Sequence, residues 1–401
     1  MATAAETVKT NGWLILAAVY LTNLDFVLLF QSIPPIFELI RAEISVGSSE
    51  LGLLMGAFAL PGIFISIPGG ILMDKLGPVK TGSACAILML MGNTITAVSG
   101  GFPMMVVGRI ISGVGSMALA VLAPQILANN FRAETIGRAL GVLNTSVPIG
   151  TILSLNIMGY VGHAAGWRGS LWLCNVLTIA IFIFFIVVIN SENAGLVQER
   201  RQNEERSKFG CKIWLLGLSW LLFNAACISF IAFSKGYFLS LNKSEHAADF
   251  MASSIMIGSV FLPPIVGIAI DRLKFKSPFV IIGGVVMSVV FFYFNDFQTI
   301  ELSIGILTCA AGVVPAAIFT LVPDSMPAER LGLGFGILST CLNIGNAFGP
   351  SVTGVAIDIM GHGVGFSFMS LYSLLFVFPI LIFPLRTFRE KRDVRQVAPN
   401  V

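Results

Sequence analysis

The chain has 401 residues, a net charge of +3, 56% hydrophobic residues and only 11% charged ones, with a mean hydropathy of +0.88. A typical soluble domain carries about 25% charged residues, so this composition excludes an ordinary water-soluble enzyme, and its hydrophobicity excludes a disordered chain. It lacks a dense basic block interleaved with aromatics, which argues against nucleic-acid binding, and its long apolar runs are unlike the short alternating segments of a porin-type barrel.

A spanning helix needs about 20 mostly apolar residues. Such runs fall at 13–40, 50–73, 79–100, 103–128, 136–162, 167–190, 212–240, 246–270, 277–295, 299–322, 330–357 and 363–385. The first is too long for the short apolar core of a signal peptide. The reading is an all-α membrane protein with twelve transmembrane helices. The only linker-like stretch, residues 191–211, is polar and charge-rich. It divides the chain into six-span units at 1–190 and 212–401. Placing both termini in the cytoplasm puts 19 of the 24 Lys and Arg residues on that side, three (Arg41, Arg168, Lys243) on the outer side and two within spans. That asymmetry sets the orientation, with the plasma (inner) membrane as the expected location. The six cysteines form no CxxC pair and the three histidines are scattered. No metal site is expected.

The two halves repeat each other. Gly70-Ile-Leu-Met-Asp74-Lys75 matches Gly267-Ile-Ala-Ile-Asp271-Arg272 at an offset of 197. Glu134 to Gly150 matches Glu329 to Gly345 at 195, and Gly162-His163 to Trp167 matches Gly361-His362 to Phe366 at 199. Three matches in one order point to two pseudo-symmetric six-helix bundles, with a substrate site between them and alternating access by rocking.

The loop after the second span reads Gly70-x-x-x-Asp74-Lys75-x-Gly77-x-x-Lys80. It resembles the loop 2–3 motif of the major facilitator superfamily, with Val79 where a basic residue is usual. The resemblance covers essentially the whole chain. It implies a secondary transporter, usually monomeric, that moves a small molecule and uses no cofactor. It further implies that Asp74 latches the bundles in the outward-open state, meeting the start of span 11 near Arg330 and a basic residue after span 4, here Arg132. A carboxylate is suited to a helix N-terminus by the free N–H groups and the dipole. Gly70 and Gly77 allow close approach and a tight turn. Lys75, Lys80 and the second copy at Gly267, Asp271 and Arg272 complete the gating motif. The alternative is simple topogenic charge.

A charge inside a span costs about 2.5–3.5 kcal/mol on insertion scales, so each needs a reason. Three stand out: Asp25, Arg109 and Lys235. Asp25, followed by Gln31 and Pro34, resembles a span 1 motif of proton-coupled exporters. Arg109-x-x-x-Gly113-x-Gly115 resembles the family's span 4 motif, whose Arg is associated with proton transfer. Asp25 lies about 18 Å along its outward-running span and Arg109 about 9 Å below the outer end of span 4, so their levels agree with pairing. Asp25 and Arg109 are therefore read as the proton-coupling pair, with a static buried pair or direct substrate contact as alternatives. Lys235, toward the outer end of span 7, either snorkels or attracts an anionic substrate. Polar side chains at the same levels are Asn23, Gln31, Asn144, Asn224, Tyr237 and Asn343, and with Arg109 and Lys235 they form the candidate substrate site. Amides in spans also bind helices to each other.

No nucleotide-binding loop or hydrolase motif appears. The expected function is proton-gradient-driven transport of a small organic solute. Two cations against one carboxylate favour an organic anion. Export of amphipathic drugs through a Phe- and Met-rich cavity is the second reading, and a non-transporting receptor or assembly subunit the third.

Overall fold

The structure, a computed structural model, describes residues 12–191, 211–273, 275–296, 299–326 and 331–397. The side chains of 66–75, 133–134, 211, 271, 331–332, 362 and 384–397 lie outside that description. Every regular element described is helical. A chain in lipid must satisfy its backbone groups internally, and a helix does this within one segment. Eight helical stretches among the described residues are long and apolar enough to cross a membrane, and Ser277–Phe292 is a shorter apolar helix.

The first span departs from a single continuous helix. Helix α1, Gly12–Phe30, stops before a 3-10 turn at Pro34–Ile36, and α2 resumes at Phe37–Ile44. Pro34 and Pro35 lack an N–H and restrict the residue before them, which ends a helix. Helix α3, Ser48–Ala97, comprises two helices meeting at Gly77 (φ 77°, ψ 167°). That left-handed φ is the conformation the loop motif's second glycine was expected to supply. Helix α4 is Phe102–Asn130.

The predicted span 136–162 is broken into α5 (Ala133–Asn144), α6 (Ser146–Leu153) and a π turn at Ser154–Met158. Pro148 lies just beyond the break. Helix α7, Gly159–Ser191, joins two helices at Gly166. In the second half, α8 is Cys211–Ser240, α9 Glu245–Ser253, α10 Ile255–Leu273, α11 Ser277–Phe292, α12 Ile300–Leu321 and α13 Leu331–Met360. Helix α14, His362–Val397, runs past the predicted span 363–385.

Helix α1 packs against α4, α6 and α7, while α8 packs against α13 and α14. The halves meet where α3 lies along α13, where α6 faces α10, and where the 3-10 turn and α7 meet α8 and α9. In the second half an aromatic cluster of Phe230, Phe238, Phe294 and Phe366 fills the bundle, with Phe294 and Phe366 stacked at 4.3 Å.

Candidate functional site

Arg109 and Asp25 are both buried, at 2% and 0% exposure, yet each has its own partners. Arg109 donates from Nε to the Leu54 carbonyl (3.2 Å), from Nη1 to Leu29 (2.7 Å) and from Nη2 to Phe30 (2.8 Å). Its guanidinium lies 4.2 Å from the Phe58 ring centre. Leu29 and Phe30 close α1, where the last carbonyls have no partner within the helix and the dipole favours a cation. Arg109 thus acts as a C-terminal cap supplied by α4.

Asp25 Oδ1 accepts a hydrogen bond from Thr178 Oγ1 of α7 at 3.0 Å, and Oδ2 has no partner. The expected Asp25–Arg109 ion pair does not form among the described residues. Similar depth did not imply contact, because the fork of Arg109 is committed to three carbonyls. The result is a carboxyl group in an apolar interior with one hydrogen bond, an environment that suits its neutral form.

Lys235 is not a snorkelling side chain. It is 4% exposed and donates to the Pro35 carbonyl at 2.6 Å. Its Nζ lies 2.8 Å from Asp249 Oδ1 and 3.2 Å from Glu245 Oε2. His163 Nε2 of α7 is 3.0 Å from the same Glu245 oxygen. The Lys235–Pro35 and His163–Glu245 contacts tie the two halves at the end of the bundle that carries the α1–α3 and α8–α9 connections. Below them Asn156 Nδ2 donates to Ser253 Oγ at 3.1 Å. Asp249 and Glu245 were missed by the sequence reading. Asp249 had a signal, since it falls inside the predicted span 246–270.

The other seam at that end joins α3 and α13. Asp358, near the end of α13, accepts from the N–H of Ser48 at 2.8 Å and of Ser49 at 2.6 Å, and from the Ser49 hydroxyl. An anion is misplaced at the C-terminus of its own helix and well placed at the N-terminus of α3. Partial burial pushes the Asp358 carboxyl up, but the bonds from Ser49 and Ser48 outweigh it and hold it below the ordinary 3.8. Ser351 Oγ of α13 also donates to the Gly52 carbonyl at 3.1 Å. Asp358 too escaped the sequence reading.

The predicted polar residues do not converge on one cavity. Asn23 Nδ2 donates to Ser146 Oγ at 2.6 Å, and Asn224 Nδ2 to the Trp220 carbonyl one turn back at 2.7 Å. Asn144 is exposed at the end of α5. Tyr237 packs edge-on against Phe366 at 4.8 Å. Gln31 is buried with Oε1 unpartnered, as is Asn346 with Oδ1. Asn343 is buried and close to Gly62 of α3.

The loop motif is only partly visible. The side chains of Asp74, Lys75 and Asp271, and residue Arg330, lie outside the described residues, as does any side-chain feature at Gly70. Lys80, Arg132 and Arg272 are exposed. Gly267 has open space beside it. Among the described residues no cluster of His, Cys, Asp and Glu could hold a metal ion.

Comparison with known proteins places this architecture. The chain is 20% identical over 349 residues to the lysosomal dipeptide transporter MFSD1 of Danio rerio, covering 80% of this chain and 75% of that one. It is 24% identical over 334 residues to the quinolone resistance protein NorA of Staphylococcus aureus, covering 81% and 85%. Among solved structures, a bacterial homolog of the human lysosomal transporter Spinster, in an inward-facing and unoccupied conformation, aligns with a TM-score of 0.74 at 13% identity, covering 96% of this chain and 98% of that one. The nucleoside transporter NupG aligns with a TM-score of 0.73 at 14% identity, covering 92% and 99%. The Major Facilitator Superfamily model matches residues 19–242 and 215–399, so the chain belongs to that superfamily of membrane transporters, which are not enzymes.

Proposed function

We propose that the chain is a proton-linked secondary transporter of a small organic solute, working by rocker-switch alternating access. In this reading twelve spans form two bundles, 1–190 and 212–401, joined by a cytoplasmic linker. Both termini are cytoplasmic in the plasma (inner) membrane, as the 19-to-3 division of Lys and Arg favours. The end tied by Lys235, His163 and Asp358 is then the outer face, and the molecule is closed to the outside. Asp74, with Lys75, Lys80 and Arg132, latches the opposite, outward-open state.

The observation that carries the proposal is Asp25. It is wholly buried, with one hydrogen bond from Thr178 and one oxygen unpartnered. Such a carboxyl is at home with a proton and must lose it to water when the cavity opens. Coupling therefore falls to Asp25, and Arg109 supports it by fixing the end of the same helix. Replacing Asp25 with Asn should abolish accumulation driven by an imposed pH gradient in proteoliposomes while counterflow exchange continues. Unchanged gradient-driven accumulation would sink the assignment.

The preference for an organic anion rested on two free cations. Arg109 is committed to carbonyls and Lys235 to two carboxylates, so that charge count changes. Gln31 Oε1 and Asn346 Oδ1 are buried acceptors without partners, which suits a solute bearing N–H or O–H donors. Asn343, close to the seam between the halves, is the amide best placed to join them. Export of amphipathic drugs remains the second reading, favoured by the likeness to NorA. A ligand bound to the native state raises the melting temperature by mass action. Stabilisation by donor-rich polar metabolites supports the first reading, and stabilisation only by lipophilic cations the second.

A further inference from the structure

The seam formed by α7, α8 and α9 holds a group of charges to which the transport proposal gives no part in proton coupling. From α8 comes Lys235, and from α9 come Glu245 and Asp249. From α7 comes His163. Nearby, His246 of α9 stacks on Tyr160 of α7 at 5.8 Å. Glu38 and Arg41 of α2 pair with each other at 3.5 Å and share a small cleft with Lys235. Asp249 is 2% exposed, and its Oδ2 has no hydrogen-bond partner. It lies against Gly159 of α7, where any Cβ would overlap the carboxylate.

The charge count of this group does not close. Lys235 contributes one positive charge, and Glu245 and Asp249 two negative ones. The Glu38–Arg41 pair is neutral. With His163 uncharged, one net negative charge is left on a group whose Lys235 and Asp249 are almost fully enclosed and whose Glu245 and His163 reach solvent. Asp249 must share the one ammonium of Lys235 with Glu245, an enclosed carboxylate with half a cation is expensive, and a single proton on the group removes that cost.

We propose that Lys235, Glu245, Asp249 and His163 form a proton-binding site that closes the outer gate, taking up one proton on closure and releasing it on opening. The proposal rests on the alternating-access reading above, and its proton is distinct from that of Asp25. The division of residues supplies the linkage. Lys235, Glu245 and Asp249 belong to the second half and stay together when the halves part. His163, Gly159, Tyr160 and the Pro35 carbonyl belong to the first half and leave. Opening therefore brings water to the enclosed Asp249 carboxyl, which can then ionise beside a Glu245 that water already reaches. A state that binds one more proton gains tenfold in population per pH unit within the titration window.

Hydrogen exchange of the full-length protein in liposomes tests this, at about pH 5.5 and about pH 8, with labelling times scaled to the intrinsic chemical rates. Amides of Glu245–Ser253 and of residues 159–165 should exchange at least tenfold faster at the higher pH. Asp249→Asn and Glu245→Gln each make the group neutral without a proton, so both should stay protected at either pH. Asp25→Asn should respond as the wild type does. A wild type indifferent to pH, an Asp249→Asn and Glu245→Gln pair that respond like wild type, or a response lost in Asp25→Asn would each overturn the site. Gradient-driven uptake in the same liposomes reads the transport proposal separately. Uptake with no pH response in exchange ends this inference alone, and a pH response without uptake ends only the coupling role of Asp25.

Discussion

The two seams that tie the halves at one end of the molecule are built on opposite principles. Between α3 and α13 the contact is backbone against backbone, finished by Asp358 on the free N–H groups of Ser48 and Ser49. Between α7 and α9 it is a mixed group of charges around Lys235. The pseudo-symmetry makes the contrast sharp. At the repeat offset of 199, Asp358 occupies the position of Gly159, the residue against which Asp249 lies. One position thus supplies the carboxylate at one seam and the space for a carboxylate at the other. In the proposal above, a pH-indifferent contact stands at one of these matched positions and a proton-responsive one at the other.

The largest effect should come from breaking the charged seam. Lys235→Ala leaves the buried Asp249, and the partly exposed Glu245 beside it, without their cation. Removing one partner of a buried pair costs about 3–5 kcal/mol. A large fall in melting temperature is expected, with substantial recovery in the triple variant Lys235→Met, Glu245→Gln, Asp249→Asn. If Lys235→Ala melts like wild type, the enclosure of this group is not what holds the seam.

The next effect belongs to the packed seam. Gly354 of α13 lies directly on the Ser48 carbonyl of α3, and a Cβ there would overlap backbone. Backbone cannot swing aside as a side-chain tip can. Gly354→Leu should therefore act against the sealed state, by about 1–3 kcal/mol as overpacking costs elsewhere, and shift the molecule toward the opposite opening. Increased labelling of a cysteine placed at Ser49, read against the same cysteine in the Gly354 background, measures it. Equal labelling would mean that the helices slide apart at no cost.

The sequence disclosed these seams unequally, for physical reasons. Helix positions were legible because the transfer cost of polar residues forces long apolar runs. Thus α4 at Phe102–Asn130 and α12 at Ile300–Leu321 lie within two residues of the runs read as 103–128 and 299–322. The first span was misread as continuous, because hydropathy does not register the Pro34–Pro35 break. Lys235 and Arg109 were found by the same transfer cost, but their partners were not. The carbonyls that Arg109 caps carry no side-chain signature. Asp249 sat visibly within an apolar span and was eclipsed by the three charges nearer the middle of theirs. Asp358 could not be read at all. Its partners are 309 and 310 residues away, and capping another chain segment's helix leaves no local pattern.

The smallest effect sharpens the comparison most. Asp358 is exposed, so its cap is screened by water and should be worth about 0.5–1 kcal/mol. Asp358→Ala should favour the opposite opening only a few-fold. The sign of its pH dependence follows from its lowered carboxyl. A group whose pKa is depressed in the sealed state stabilises that state above its ordinary value of 3.8. The contribution fades only as pH falls through the lower value. From about pH 5 to about pH 8 the carboxylate is ionised whether the seam is sealed or open. The wild type and Asp358→Ala should then differ by a constant factor across that range, while Asp249→Asn differs from wild type by a factor that changes with pH. Parallel curves for Asp358 and diverging ones for Asp249 separate a fixed electrostatic cap from a proton-binding seam. Curves that diverge for both would place a titrating group at the α3–α13 seam as well and dissolve the distinction between the two.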